Sequence, residues 1–352
     1  MNLLDLTGSG FFIFQKKVNP SFQLQNHPQV RIQKWKHCMP PINSLFLQPE
    51  KNTAMSESIL SLCPGPWKDY ELIDTGGFEK LERFGEFILS RPEPQAIWDK
   101  TLPESEWRNL AHAHFAKEKS NPEKGNWEQL KKMPHNWAIE YANEEGLNLK
   151  LNLAQTSFKH IGLFPEQAVN WDYLYKTIRR SPISKPKVLN LFAYTGAASV
   201  AAKAAGADVT HLDSVKQVVT WSRHNMESSG QSDIRWMVDD AMKFIKREAR
   251  RGNKYNGIIL DPPAYGRGPD GEKWVLEEQI NEMLKVCAEI LDPKDHFLLL
   301  NMYSLSFSSL IAANLINTTF KNVQNAEHGE LFLQDNQNKK LPLGIFFRFS
   351  SF

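Results

Sequence analysis

From residue 188 onward the chain repeats one rhythm: a short aliphatic run, then a stretch with apolar residues at helical spacing. The pattern predicts strands over 188–192, 208–212, 234–238, 257–260 and 296–302, and helices over 196–205, 215–228, 241–250, 275–291 and 308–318. Strands separated by helices return in the same direction, so these units predict a doubly wound, mostly parallel α/β sheet covered by helices on both faces. Two closing strands near 329–334 and 343–350 are expected to add an antiparallel edge.

Ahead of this array the pattern differs. "YELIDTGGFEKLERFG" reads as a hairpin about Thr75-Gly76-Gly77 that "FILSRP" continues, and "WAIEYANEEGLNLKLNLAQ" reads as a second hairpin. Leu147, Leu149, Leu151 and Leu153 alternate with polar residues, as in a half-buried antiparallel strand. Between the hairpins, residues 100–135 are polar and read as loop with short helix. The expected division is a tail over 1–54, a small β-rich domain over 55–158 and the strand–helix array over 159–352, which Trp171, Leu174, Tyr175 and Ile178 open at helical spacing. The tail is rich in Gln, Asn and Pro and carries six Lys/Arg against Asp5 and Glu50. It reads as a disordered tail, a targeting segment, or sequence ahead of a start at Met55.

Net charge is only +2, so any affinity for a polyanion must come from local patches. No run reaches the roughly 18 apolar residues of a membrane helix, and "MNLLDLTGSGFFIF" lacks the basic start of a secretory signal. Cys38, Cys63 and Cys287 are too far apart to suggest a disulfide framework or a zinc site. A cytoplasmic location, no membrane and no metal are expected.

In such sheets ligands bind beyond the carboxyl ends of the strands, so those ends are read together. The first gives "VLNLFAYTGAAS", where Gly196 opens a helix whose N–H groups suit a carboxylate or phosphate. Phe192 and Tyr194 fill positions that are glycine in dinucleotide-binding loops, which disfavours a pyrophosphate and a nicotinamide dehydrogenase. The second strand ends in Asp213, suited to ribose hydroxyls; the third ends in Asp239-Asp240, suited to an adenine amino group. Each Asp alone is equally a helix cap. The fourth ends in "GIILDPPAYGRGPDGEKW", where Asp261 is followed by two prolines that fix φ and donate nothing. A nucleoside without a pyrophosphate, with a carboxylate at the helix N-terminus, describes S-adenosylmethionine.

Together these segments resemble class I S-adenosylmethionine-dependent methyltransferases, and among them the ribosomal RNA large-subunit methyltransferase group. The resemblance covers roughly residues 70–352 and rests on "FKHIGLFPEQ" (158–167), "VLNLFAYTGAAS" (188–199), "THLD" (210–213), "VDDAMKF" (238–244) and "LDPPAYGRG" (260–268). It implies a Rossmann-like, doubly wound, mostly parallel seven-stranded methyltransferase sheet preceded by a small β-rich domain that helps bind RNA. It also implies S-adenosyl-L-methionine as cofactor and RNA, above all ribosomal RNA, as partner. Phe164, Pro165 and Gln167 would line the cofactor pocket; Asn190 through Gly196, including Tyr194 and Thr195, would hold the methionine part. Asp213 would take the ribose, and Asp240 with Ala241 the adenine.

For transfer to an amine, Asp261 and the Pro262 carbonyl can accept N–H groups and aim the nitrogen lone pair, while Tyr265 stacks on a base turned out of its helix. Ala264 between Pro263 and Tyr265 gives the DPP-x-aromatic form found in the ribosomal group. Cytosine C5 needs covalent attack by a cysteine, which family members doing that chemistry carry just after the fifth strand. Here Met302, Tyr303 and Ser304 stand there, and Cys287 reads as core, leaving a ring or exocyclic nitrogen, guanine's among them. Arg267 and Lys273 are candidate substrate contacts in a glycine-rich loop that Gly266, Gly268 and Gly271 would let close as a lid. The cations from Lys243 to Lys254 read first as a solvated helix face and second as an RNA contact. Trp67, Trp98, Trp107, Trp127 and Trp137 read as core, and His160 as structural. Two other functions fit: a methyltransferase acting on a protein or small-molecule nitrogen, and a non-catalytic RNA-binding ribosome assembly factor. The three strand-end carboxylates argue against the last.

Overall fold

The computed structural model describes residues 58–118, 124–303 and 307–352; the expectations for 1–54 and Met55 lie outside the described residues. The chain opens with β1 (Leu60–Leu62), β2 (Tyr70–Gly76), β3 (Glu79–Phe84), β4 (Phe87–Pro92), the short helix α1 (Glu104–Leu110), β5 (Ala113–Lys117), β6 (Gly125–Gln129), β7 (Asn136–Ala142) and β8 (Asn148–Ala154). A 3-10 turn over Pro165–Gln167 leads to α2 (Ala168–Arg180), β9 (Lys187–Leu191), α3 (Ala197–Ala204), β10 (Asp208–Asp213), α4 (Lys216–Ser228), β11 (Arg235–Val238), α5 (Ala241–Arg250) and β12 (Gly257–Leu260). Then follow β13 (Tyr265–Arg267), β14 (Lys273–Val275), α6 (Leu276–Ile290), β15 (Phe297–Met302), α7 (Ser309–Thr319), β16 (Glu327–Gln334) and β17 (Lys340–Ser350).

The main sheet runs β1-β16-β17-β15-β12-β9-β10-β11, with β17 antiparallel to both neighbours and the other pairs parallel. It has eight strands where seven are expected. The extra one is β1, whose Leu60–Leu62 run parallel to Gly329–Leu331; three residues are too few to show a period. The central strands are buried and largely apolar, as strands covered on both faces are, with Asn190, His211 and Asn301 as buried polar exceptions, and successive side chains go to opposite sides. Val188, Val209, Ile259 and Leu299 meet α2 and α3 through Leu174, Ile178 and Val200. Leu189, Leu191, Ile258, Leu260 and Leu300 meet α5, α6 and α7 through Phe244, Leu284 and Ile316.

The N-terminal region forms a five-stranded sheet, β2-β3-β4-β5-β6, and a separate hairpin, β7–β8. The polar stretch expected to be loop and helix holds α1 but also β5 and β6. A small cluster of this region's own forms around Leu81, Trp107 and Ala111, but Trp67, Tyr70, Phe84 and Leu149 belong to the same apolar cluster as Trp171 and Val200. Trp67 and Trp107 are buried, and Trp98, Trp127 and Trp137 pack against that cluster partly buried. The hairpin β7–β8 is tied to α4, where Trp221 Nε1 donates to the Asn152 carbonyl (2.8 Å) and Lys150 N to Ser229 Oγ (2.9 Å). At the other end, buried Asp74 accepts from Leu102 N (2.9 Å), Trp107 Nε1 (2.8 Å) and Lys339 Nζ (2.7 Å), clamping β2 to the turn between β16 and β17. Among the described residues no helix is long and apolar enough to cross a membrane, and no three metal-ligating side chains converge.

The seating of β1 depends on Gly329, where an added Cβ would stand 1.8 Å from the Leu60 carbonyl oxygen. Gly329→Ala is expected to cost about 1–3 kcal/mol, as overpacking does, and to release β1. Limited proteolysis should then cut ahead of Trp67 faster than in the parent; an unchanged cleavage rate would show that β1 does not need this close approach.

Candidate functional site

The strand order reverses between β9 and β12, and the loops beyond these two strands form a cleft at their carboxyl ends. The loop after β9 is the tightest backbone in the site. Phe192 (φ 55°), Tyr194 (φ 48°) and Gly196 (φ 84°) are all left-handed, which for the two aromatic residues costs about 1–3 kcal/mol each unless the surroundings enforce it. They do so on several sides. Ala193 N donates to the Leu212 carbonyl (3.0 Å), Thr195 Oγ1 to the Gly162 carbonyl (2.7 Å), and Asn225 Nδ2 to the Thr195 carbonyl (2.8 Å). Behind the loop runs a buried polar chain. Asn190 Nδ2 donates to Ser199 Oγ (2.9 Å), Ser199 Oγ meets His211 Nδ1 (3.0 Å), His211 Nε2 meets Ser222 Oγ (3.3 Å), and Ser222 Oγ donates to the Tyr194 carbonyl (2.7 Å). Burial pushes the His211 pKa down to about 3, so this ring works as a neutral hydrogen-bond relay. Gly196 is required twice over: its φ is left-handed, and a Cβ there would stand 2.9 Å from Ser222 Cβ.

Of the residues singled out in the sequence, Phe164, Gln167, Asn190, Tyr194, Thr195, Gly196 and Asp261 line this one cleft. Pro165 is buried in the 3-10 turn behind it. Asp213 adjoins the loop: its oxygens accept Tyr194 N (2.9 Å) and Val215 N (3.0 Å), and burial raises its pKa. Asp240 and Ala241 stand just beyond β11, at the start of α5, and are not among the residues that line the cleft. There Asp240 caps α5 by accepting Lys243 N (2.8 Å), the role any Asp after a strand can take. Asp239 instead pairs with Arg247. His160 packs against the Phe164 ring (5.1 Å between centroids), and burial takes its pKa down to about 3.

Asp261 forms the far wall. Burial raises its carboxyl pKa to about 6, opposed by a 2.7 Å hydrogen bond from Asn301 Nδ2. The segment that follows is an anchored hairpin and not an open loop. Trp274 is buried, packs on Phe192 (4.9 Å) and donates from Nε1 to the Pro263 carbonyl (2.7 Å); Gly268 N donates to the Glu272 carbonyl (2.8 Å) across the tip. Pro262 is buried, while Tyr265, Arg267 and Lys273 are exposed. The basic stripe on α5 is largely consumed by carboxylates: Lys243 pairs with Asp270 and Glu272, Lys246 with Glu282, Arg247 with Asp239 and Arg251 with Glu248.

Sequence reasoning missed Asn170, Asn301, Val215 and Val238. Asn170 and Asn301 are buried in the cleft wall, and each has a side-chain oxygen without a partner among the described residues. A buried acceptor left unmatched costs about 1–3 kcal/mol, so the cleft fits a ligand carrying N–H groups. The first N–H groups of α3, at Ala197 and Ala198, also face it, which fits a carboxylate. Val215 and Val238 are exposed apolar residues beside Asp213 and Asp239, fit for the faces of a planar ring. The cleft thus offers acceptors for an amine and a helix N-terminus for a carboxylate, and the neighbouring Asp213 has oxygens for hydroxyls, a set that fits S-adenosylmethionine. Only the apolar residues directly flanking the acidic strand ends offered a signal for this in the sequence.

A family model described as S-adenosylmethionine-dependent methyltransferase matches residues 99–311. A ribosomal RNA large subunit methyltransferase K/L from Shewanella frigidimarina is 31% identical over 168 residues, 46% of this chain and 22% of the relative. A ribosomal RNA large subunit methyltransferase I from Klebsiella pneumoniae is 32% identical over 89 residues, 24% of this chain and 22% of the relative. The chain thus spans about a fifth of the length of the curated relatives it matches. A crystal structure of a SAM-dependent methyltransferase from Agrobacterium tumefaciens superposes with a TM-score of 0.76 at 36% identity, covering 83% of this chain and 94% of that one.

Gly196→Ala should weaken S-adenosylmethionine binding about tenfold or more, since left-handed strain of roughly 1–2 kcal/mol adds to the contact with Ser222. Titration calorimetry measures this directly, and an affinity unchanged within twofold would mean that the loop tolerates rearrangement.

Proposed function

Because the chain belongs to the S-adenosylmethionine-dependent methyltransferases, we propose that it methylates a base nitrogen in large-subunit ribosomal RNA. The observation that carries this reading is the position of Asp261, a desolvated carboxylate at the end of β12 in the same cleft as the Asn190–Gly196 loop. Both curated relatives described above are ribosomal RNA methyltransferases, which favours RNA as the acceptor. The β-rich region over 55–158 helps hold that RNA. It reaches the active edge where Tyr303, just past β15, donates from its hydroxyl to Glu93 Oε1 (3.0 Å).

When bound, the cofactor supplies an electrophilic methyl group on a sulfonium. The protein's part is to position the acceptor for in-line attack. Asp213 takes the ribose hydroxyls on the lone pairs left by its two backbone bonds, the Asn190–Gly196 loop with Phe164, Pro165 and Gln167 cradles the methionine part, and the Asp240–Ala241 turn meets the adenine. Asp261 and the Pro262 carbonyl accept the N–H groups of the acceptor, and Tyr265 stacks on its base. Asp261 Oδ1 is held by Asn301, leaving Oδ2 to accept the proton that the nitrogen sheds. Cys287 is wholly buried and burial raises its thiol pKa, so it offers no nucleophile for transfer to carbon.

Nucleoside mass spectrometry of ribosomal RNA from cells with and without the gene tests the acceptor: one methylated base should disappear, and an identical nucleoside profile would sink the RNA reading. In vitro, Asp261→Ala should slow transfer by about a hundredfold or more, as misplaced reactants do, while S-adenosylmethionine still binds. The raised pKa of Asp261 gives a second expectation. The carboxylate needed for transfer is protonated below about pH 6, so the rate should climb as pH rises through 6 and level off above 7. Asn301→Ala removes the bond that favours the charged form and should move this limb to higher pH. A limb that stays in place would assign it to another group.

A further inference from the structure

The hairpin beyond Asp261 has two unlike faces. Tyr265, Arg267, Lys273 and Val275 occupy the alternate positions that share one side, while Gly266 and Trp274 share the other. Trp274 fixes the inner side against Phe192 and the Pro263 carbonyl. On the outer side Tyr265 is 52% exposed, and Arg267 and Lys273 are exposed.

Arg267 and Lys273 stand directly opposite each other in the strand register, an arrangement that destabilises a β pair. Neither has an ion-pair partner among the described residues, although Lys243, Lys246 and Arg247 of the adjacent α5 and Arg251 just past it each have a carboxylate. The acids of the hairpin's own tip, Asp270 and Glu272, turn to Lys243 instead. Two opposed cations left uncompensated, on a rigid support and beside an exposed aromatic ring, await an anion from outside. The ring narrows the choice. A base inside a duplex is stacked on both faces and must be unpaired and turned out before it can lie on Tyr265, whereas an unpaired base lies there without that cost.

We propose that the outer face of this hairpin seats an unpaired RNA strand, with Arg267 and Lys273 on backbone phosphates and Tyr265 under the base that reaches Asp261. The proposal rests on the RNA reading above and names the form in which RNA is taken. Its test is anisotropy titration of the full chain with a fluorescein-labelled single-stranded RNA of about 20 nucleotides, and with the same sequence as a duplex, a length chosen to exceed the roughly 16 nucleotides of a single-strand binding fold. The single strand should bind more tightly than the duplex. Arg267→Ala/Lys273→Ala should weaken single-strand binding about tenfold and flatten the slope of log K against log salt by about 1.4, since each phosphate contact on a single strand contributes roughly 0.7. Its melting temperature should equal or exceed the parent's, because a like-charge pair has been removed. Arg250→Ala, an exposed cation on α5 away from the hairpin, controls for net charge and should change affinity less than twofold.

The inference is overturned by no binding of the single strand to the parent, by a preference for the duplex, or by a double variant that binds like the parent or no worse than Arg250→Ala. Binding through this face without methyl transfer to RNA would leave the inference standing and overturn the proposed acceptor. Transfer to RNA with binding indifferent to the hairpin would do the reverse.

Discussion

The site depends on holding a backbone that the chain would not adopt by itself. Phe192, Tyr194 and Gly196 are left-handed within one five-residue loop, and two of them carry large side chains. What enforces this is a set of buried hydrogen bonds that leave the loop no other arrangement. Ser222 and Asn225, one turn apart on α4, accept the task together by donating to the carbonyls of Tyr194 and Thr195. Asn225 Oδ1 also accepts from Asn152 N (2.8 Å) and Nδ2 (3.0 Å) on β8. One side chain therefore fixes the cofactor loop and docks the N-terminal hairpin, so the hairpin's position and the shape of the cleft are a single structural fact.

A second buried network ties the N-terminal sheet to the other side of the cleft. Glu82 accepts from Arg91 (2.5 and 2.9 Å) and from the Tyr70 hydroxyl (3.0 Å), while Lys80 faces Glu93 at 3.3 Å and Glu93 accepts from Tyr303. Glu166, on the 3-10 turn, is buried beside this cluster, and burial raises its pKa to about 7. Buried charges such as these add little net stability, but separating any one from its partner costs several kcal/mol. They therefore act on placement more than on stability, tying β3 and β4 to Tyr303 just past β15. That explains why the array from 188 onward and the region before 158, distinct in their sequence rhythm, share one core.

Legibility in the sequence followed physical cause. Strands β9, β12 and β15 are largely apolar on both faces and announce themselves. Strand β6, "GNWEQ", is polar and mostly exposed, so nothing local separates it from loop. The hairpin β13–β14 hides behind glycines that read as flexibility, because its rigidity comes from Trp274 reaching Phe192 across the fold. The cationic stripe of α5 could be seen, but apart from Glu248 on the helix itself the carboxylates that neutralise it lie on the hairpin, on α6 and after β11. Asp240 shows the same limit in reverse. Its capping bond is local and could be anticipated, whereas any contact to a ligand depends on what lies opposite. Asn170 and Asn301 were invisible because an asparagine amid apolar residues reads as an irregularity until its oxygen is found without a partner.

The two aromatic residues that separate this loop from a dinucleotide-binding one also explain how its two halves communicate. Glycines in that position let a pyrophosphate approach the backbone; Phe192 and Tyr194 fill the space instead. Their side chains go to different neighbours: Tyr194 packs on Phe164 (5.4 Å) in the segment before β9, and Phe192 packs on Trp274 (4.9 Å) in the hairpin after Asp261. Trp274 in turn holds the Pro263 carbonyl. The wall of the cofactor cleft and the backbone around Asp261 are thus braced by the same five residues. A displacement at one must be felt at the other, because packed aromatic contacts yield by steps and do not stretch. In-line transfer needs the donor and acceptor aligned to a fraction of an ångström, and a shared brace secures that alignment more simply than two independent sites.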